Sequence, residues 1–169
     1  GLTGIDGKMV IAERKKKLKV KKGDKILLID GGYTGKVDQV DPTLINILVK
    51  DKYIPAIASL ALSHENDPLN IDADRAAANI ASAVKADILL LLTDVDGVLD
   101  KNKKVIPKIK FSELDNIRDE VGFGMEKKIL ATREAIEMGV NKVIIASGKK
   151  ENPLSQALEE KNCTVIINE

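Results

Sequence analysis

At 169 residues the chain is long enough to bury one real core, with or without a small appendage. Its 27 basic and 26 acidic side chains nearly cancel, so net charge selects no class of partner. The longest apolar run, Ile88 to Leu92 between Asp87 and Thr93, is far too short to span a bilayer, and the lone Cys163 excludes an internal disulfide and any multi-cysteine metal site. No basic start followed by an apolar stretch marks a signal peptide, and a cytoplasmic location is the default reading. The chain opens Gly1-Leu2-Thr3-Gly4 without an initiator methionine, which reads as a fragment or a processed product. With Tyr33, Tyr53, Phe111 and Phe123 its only aromatic residues, the core has to be built from Ile, Leu, Val and Ala.

Residues 1–41 read as a β-rich hairpin segment. Met9–Ala12, Lys17–Val20, Lys25–Ile29 and Lys36–Val40 are short strand candidates, separated by turn signals at Asp6-Gly7, Gly23-Asp24 and Gly31-Gly32. Lys17 to Lys21 alternates polar and apolar, as a half-exposed strand does. From residue 42 the rhythm changes, and 42–169 reads as an α/β domain. Pro42–Lys52 is helical, with Asp41 as its cap and Pro42 at its first position. Ile54–Leu62 is strand-like, Asp72–Lys85 an Ala-rich helix, and Asp87–Leu92 a buried strand. Ser112–Asp119 is a short helix capped by Ser112, and Met125–Met138 a longer one ending at Gly139. Val143–Ala146 is a strand, Pro153–Glu159 a helix and Thr164–Ile167 a last strand. This alternation predicts a three-layer α/β/α sandwich around a mostly parallel sheet.

Three segments carry candidate chemistry. Asn70 to Ala78 places an amide and two carboxylates, Asp72 and Asp74, between a strand end and a helix start. Either carboxylate can cap the free amides of the first helical turn. The same position, outside the carboxyl end of a strand, is also where open α/β sheets bind ligands. Leu89 to Asp100 is an apolar strand running into the polar turn Thr93-Asp94-Val95-Asp96-Gly97. Alone, it resembles the first motif of the haloacid dehalogenase phosphatases, with Asp94 as nucleophile, Asp96 as acid/base and Mg²⁺ between them. That motif normally opens its domain, whereas about half of this chain precedes it. No later Gly-Asp pair supplies the metal ligand that family needs. Gly122 to Ile129 leads from glycines into a helix whose first turn would carry Lys127 and Lys128. Cations there oppose the helix dipole, so an anion such as phosphate is a natural guest, and solvated lysines are the plain alternative.

Other signals are weaker. Gly31–Lys36 lacks the spacing of a phosphate-binding P-loop and reads as a hairpin turn. Arg14 to Lys22 is a basic run with no interleaved aromatics, which argues against stacking on single-stranded nucleic acid and leaves a solvated face or an acidic protein partner. His64 reads as a loop residue, and Cys163 as packing near the last strand.

Taken in order and spacing, Pro68 to Asp74, Leu92 to Leu99, Gly124 to Lys128 and the opening Gly1 to Gly7 resemble the C-terminal part of the amino acid kinase family, in its acetylglutamate kinase branch. Asp72, where ordinary acetylglutamate kinases tend to have Asn, and the following Asp74-Arg75 look more like the carrier-dependent kinases of archaeal and Thermus-type lysine and arginine biosynthesis. Their substrate is aminoadipate or glutamate carried on the acidic protein LysW. The resemblance implies ATP and Mg²⁺ as cofactors, transfer to a carboxylate to give an acyl phosphate, a homodimeric full-length enzyme, and no nucleic-acid or membrane partner. The basic run would then steer the acidic carrier. Free N-acetylglutamate is the alternative acceptor, and a non-catalytic nucleotide-sensing module is an alternative of another class.

The resemblance also implies roles for individual residues. Asn70 and Asp72 would hold the amino-acid substrate. Asp74 would organise active-site lysines. Lys128, or less readily Lys127, would neutralise the transferring phosphoryl group. Thr93, Asp94, Val95, Asp96, Gly97 and Met125 would shape the nucleotide pocket. The family's N-terminal Lys-x-Gly-Gly motif, its second Gly-Gly and its substrate-binding Arg have no match in this chain. The expectation is therefore a nucleotide-binding part lacking the amino-acid-substrate half, and inactive alone.

Overall fold

The computed structural model describes residues 1–22, 25–118 and 121–168. They form two compact units, Gly1–Ala76 and Ala77–Glu169.

The first unit is built on a mixed sheet. Its strands are β2 (Val10–Arg14), β5 (Gly35–Val40), β7 (Leu60–Ser63) and β8 (Pro68–Asn70), in the order β5-β2-β7-β8. β2 runs parallel to β7, while β5 and β8 are antiparallel to their neighbours. Met9, Val10, Ala12, Ala61 and Leu69 are buried. Two further pairs complete the strands: β1 (Leu2–Thr3) lies parallel to β6 (Ile57–Ala58), and β3 (Lys17–Lys22) is antiparallel to β4 (Lys25–Asp30). The strand expected over Ile54–Leu62 is thus two, and β8 is an addition. The boundary expected after residue 41 falls inside this unit, because β2 and β5 share a sheet with β7 and β8.

The helix α1 (Thr43–Lys50) starts one residue later than expected, with Pro42 at the N-cap rather than the first helical position, and ends two residues before Lys52. The Asp41 carboxylate accepts from the Thr43 hydroxyl at 2.6 Å and from its amide at 2.9 Å, which satisfies a free donor of the first turn. Gly31 and Gly32 form a turn, with the Thr34 amide donating to the Gly31 carbonyl. It is not a hairpin turn, because β4 pairs with β3 while β5 pairs with β2. The Gly23-Asp24 turn signal lies outside the described residues.

The second unit is a three-layer α/β/α arrangement. Its sheet runs β10-β12-β11-β9, from β9 (Ile88–Thr93), β10 (Lys108–Lys110), β11 (Lys142–Ser147) and β12 (Cys163–Ile167). β9 and β11 are parallel, as are β10 and β12, and the two pairs meet along an antiparallel β11–β12 seam. The helices are α2 (Ala73–Ala83, which crosses the division between the units), α3 (Leu114–Arg118), α4 (Phe123–Glu137) and α5 (Pro153–Leu158). Val143 and Ile145 of β11 join a core with Ile129, Ala135 and Ile136 of α4. Ile144 and Ala146, on the opposite face, pack with Ala157 of α5 and with Cys163. α4 ends as the sequence predicts, with Gly139 at φ 99°, a left-handed conformation that favours glycine.

Three expectations change here. β9 is an edge strand in this sheet, so only Leu89 and Leu91 are buried and Leu92 is 40% exposed. Ser112 does not cap its helix. A 3₁₀ turn, Phe111–Glu113, precedes α3, and the Glu113 carboxylate reaches back to the Lys110 amide at 2.9 Å. The expected helix end at Asp119 lies outside the described residues. Finally, α4 begins at Phe123, two residues before the expected start.

Candidate functional site

In the second unit the site is built from the carboxyl ends of β9 and β11. The strands are adjacent and parallel, with Thr93 opposite Ser147, so their following turns leave the same edge of the sheet. Open α/β sheets place ligands in such a crevice. The two turns are tied together: the Gly148 amide donates to the Thr93 carbonyl at 2.8 Å, and Lys150 Nζ lies 2.9 Å from Asp96 Oδ2.

The turn after β9 is held tightly at its far end. A Cβ on Gly97 would sit 2.5 Å from Thr164 Oγ1, so no other residue fits without displacing β12. Thr164 is fully buried, accepts from the Val98 amide at 2.8 Å and donates to the Ile106 carbonyl at 2.7 Å. A buried hydroxyl that satisfies two backbone groups fixes where the turn lies. Between these anchors Asp94 is exposed and Val95 and Asp96 are half-buried. Asp94 Oδ1 accepts from the Thr93 hydroxyl at 3.3 Å.

Met125 packs against the core that contains Val98, so the start of α4 and the end of the β9 turn share one apolar cluster. Lys127 is exposed and Lys128 half-buried. They are the fifth and sixth residues of α4, past its first turn, where Glu126 sits instead. The inference of an anion from lysines opposing the helix dipole therefore loses that support, since the effect fades beyond one turn. A different feature remains: among the described residues no side chain caps the helix at Gly122, and none stands where a Cβ on Gly122 or Gly124 would be.

In the first unit, Asn70 ends β8, and its amide donates to the Tyr33 carbonyl at 2.8 Å. Asp72 stands just before α2 and accepts from the Arg75 amide at 3.2 Å, so the capping reading holds for this carboxylate. Asp74 lies in the first turn of α2 and is half-buried. The structure thus gathers Asn70, Asp72 and Asp74 at one strand–helix junction.

The basic run begins at the end of β2 and continues along β3, with Lys16, Lys17 and Lys19 exposed. Arg14 lies 4.8 Å over the Tyr33 ring and donates to the Gly32 carbonyl at 2.6 Å. A cavity of about 660 Å³ at its base is lined by Arg14, Lys15, Lys16 and His64, balanced by Glu13, Asp30, Glu65 and Asp67. His64 is a turn residue, 3.1 Å from Asp38. The Ser63 hydroxyl holds the Glu65 carboxyl below the usual range. Cys163 opens β12 and is buried, which pushes its thiol above the ordinary value.

Sequence reasoning missed Lys150 and Thr164. A signal for the first existed. Gly148-Lys149-Lys150 follows the apolar run Val143–Ala146 as Thr93–Gly97 follows Ile88–Leu92. Nothing in the sequence marks the pairing of Thr164 with a turn 66 residues away.

A sequence profile described as the amino acid kinase family matches residues 3–147. The chain belongs to the amino acid kinase family. The match takes in Leu89–Asp100, so the segment that alone resembles a phosphatase motif belongs to a kinase-family chain. This kinase-family chain is 47% identical, over 99% of its length, to a protein of Saccharolobus islandicus named LysW-aminoadipate/LysW-glutamate kinase. A Nitrosopumilus maritimus protein with a provisional form of that name is 48% identical over 100% of the chain. The chain spans 63% to 64% of the length of these relatives.

Among solved structures, N-acetylglutamate synthase from Neisseria gonorrhoeae aligns with a TM-score of 0.81 at 22% identity, covering 96% of this chain and 37% of that one. Carbamate kinase from Giardia lamblia bound to AMP-PNP aligns at 0.65 and 19%, covering 90% and 52%. At these identities the likeness establishes the fold. Among the described residues no helix is long and apolar enough to cross a membrane.

Proposed function

We propose that the chain is the nucleotide-binding part of a kinase that moves the terminal phosphoryl group of ATP to the side-chain carboxylate of aminoadipate or glutamate carried on LysW. The product is an acyl phosphate in lysine or arginine biosynthesis. The observation that carries this reading is the 47% identity, over 99% of the chain, to relatives named for that reaction. We also propose that the longer enzyme is a cytoplasmic homodimer.

ATP would supply the phosphoryl group, and Mg²⁺ bound with it would offset the charge of its phosphates. Among the described residues no three His, Cys, Asp or Glu gather into a metal site. The turn Thr93–Gly97, with Met125, shapes the nucleotide pocket. The uncapped, open backbone at Gly122–Gly124 suits close approach of phosphate. Lys128, half-buried where Lys127 is exposed, neutralises charge on the transferring group. Asn70 and Asp72 hold the amino-acid substrate, and Asp74 orders lysines around it. A carboxylate acceptor is already ionised at neutral pH, so no general base is needed, and positioning with charge neutralisation supplies the catalysis. The exposed lysines of β3 attract the acidic carrier.

Two measurements test this reading. Calorimetric titration of MgATP gives a saturable heat with the chain and a weakened one with Lys128→Ala. Equal affinities would remove Lys128 from the site. The chain is then exchanged into the matching region of the Saccharolobus kinase and assayed with LysW-bound glutamate, LysW-bound aminoadipate and free N-acetylglutamate. Turnover of the carrier-bound acceptors is expected. Turnover confined to N-acetylglutamate would move the enzyme to the alternative acceptor.

A further inference from the structure

The turn after β9 presents two carboxylates, Asp94 and Asp96, at an edge that the proposed function gives to a polyanion. A nucleotide diphosphate brought there meets like charge unless one carboxylate is neutralised. The cation comes from the neighbouring turn: Lys150 Nζ sits 2.9 Å from Asp96 Oδ2, across 54 residues of sequence. Both side chains are partly open to solvent, at 33% and 45%. The backbone around the pair is fixed. Thr93 is tied to Gly148, and Val98 is tied to buried Thr164, so Asp96 lies in the short stretch between two anchors.

We propose that Lys150 is a positioning residue for nucleotide binding: its ammonium group neutralises and holds Asp96 where the turns after β9 and β11 meet, so that the crevice accepts a nucleotide diphosphate or triphosphate. This inference rests on the nucleotide reading of the β9 turn. Lys150 acts through Asp96, and its effect therefore depends on the charge of the ligand and on the charge of Asp96.

The test is calorimetric titration of MgADP and of AMP into the chain and three variants, with thermal unfolding as the control for folding. Lys150→Met weakens MgADP by roughly twofold to fivefold, the range set by a partly exposed charge pair, and weakens AMP less. Lys150→Arg retains wild-type affinity. Adding Asp96→Asn to Lys150→Met recovers most of the loss, because the uncompensated carboxylate is gone.

Wild-type affinity in Lys150→Met overturns the inference and leaves the nucleotide reading intact. A loss that persists in the double variant also overturns it, placing Lys150 on the nucleotide itself. A loss equal for AMP and MgADP makes the role purely structural and overturns it as well. If the wild-type chain binds neither ligand, the nucleotide reading of this turn falls and the inference falls with it.

Discussion

β4 and β11 have nearly the same composition and opposite fates. Ile26, Leu27, Leu28 and Ile29 of β4 are 70%, 42%, 61% and 46% exposed, whereas Val143, Ile144 and Ile145 of β11 are fully buried and Ala146 is 3% exposed. Four consecutive apolar residues predict a strand in both places. What separates them is the neighbourhood. β11 lies between β9 and β12, with the α4 core on one face and the α5 cluster on the other. Among the described residues β4 pairs with β3 alone. Hydrophobic stabilisation follows the area withdrawn from water, so an apolar run contributes only where other elements cover it.

The largest expected effect tests the buried side of this contrast. Ile145→Ala removes side-chain volume from a core with no exposure and is expected to cost about 2–5 kcal/mol in urea unfolding. A cost under about 1 kcal/mol would mean that β11 is less enclosed than described. Next comes the anchor that couples this sheet to the site. Thr164→Val keeps the side-chain shape but leaves the Val98 amide and the Ile106 carbonyl without their hydroxyl partner, and is expected to cost about 1–3 kcal/mol. Hydrogen exchange at the Val98 amide should speed up in parallel.

On the exposed side, Leu28→Ser is expected to change stability by less than about 0.5 kcal/mol. A larger loss would show that something covers this ribbon in solution.

The smallest effect belongs to exposed charge. The Thr43 hydroxyl, and then its amide, hold the Asp41 carboxyl below the ordinary range. A depressed folded-state value stabilises the native chain above the unfolded value, and that contribution disappears as pH falls through the folded value. The difference in unfolding midpoint between wild type and Asp41→Asn should therefore shrink below about pH 4. A difference that stays constant into acid would assign the effect to something other than this carboxylate.

Much of the fold was legible in the sequence because it depends on local chemistry. The carboxylate at Asp41 that starts α1, the glycine that ends α4 and the apolar runs of β9, β11 and β12 each state their element without reference to the rest of the chain. The turn Thr93–Gly97 and the junction Asn70–Asp74 were likewise visible as polar residues leaving strand ends. Tertiary structure decided which neighbour each element received. It set β2 and β5 beside β7 and β8, left β4 uncovered, placed β9 at an edge, moved the start of α4 ahead of its lysines, and brought Lys150 and Thr164 to the β9 turn. Strand pairing and long-range hydrogen bonds join residues dozens of positions apart, and no local pattern of residue types encodes such a partner.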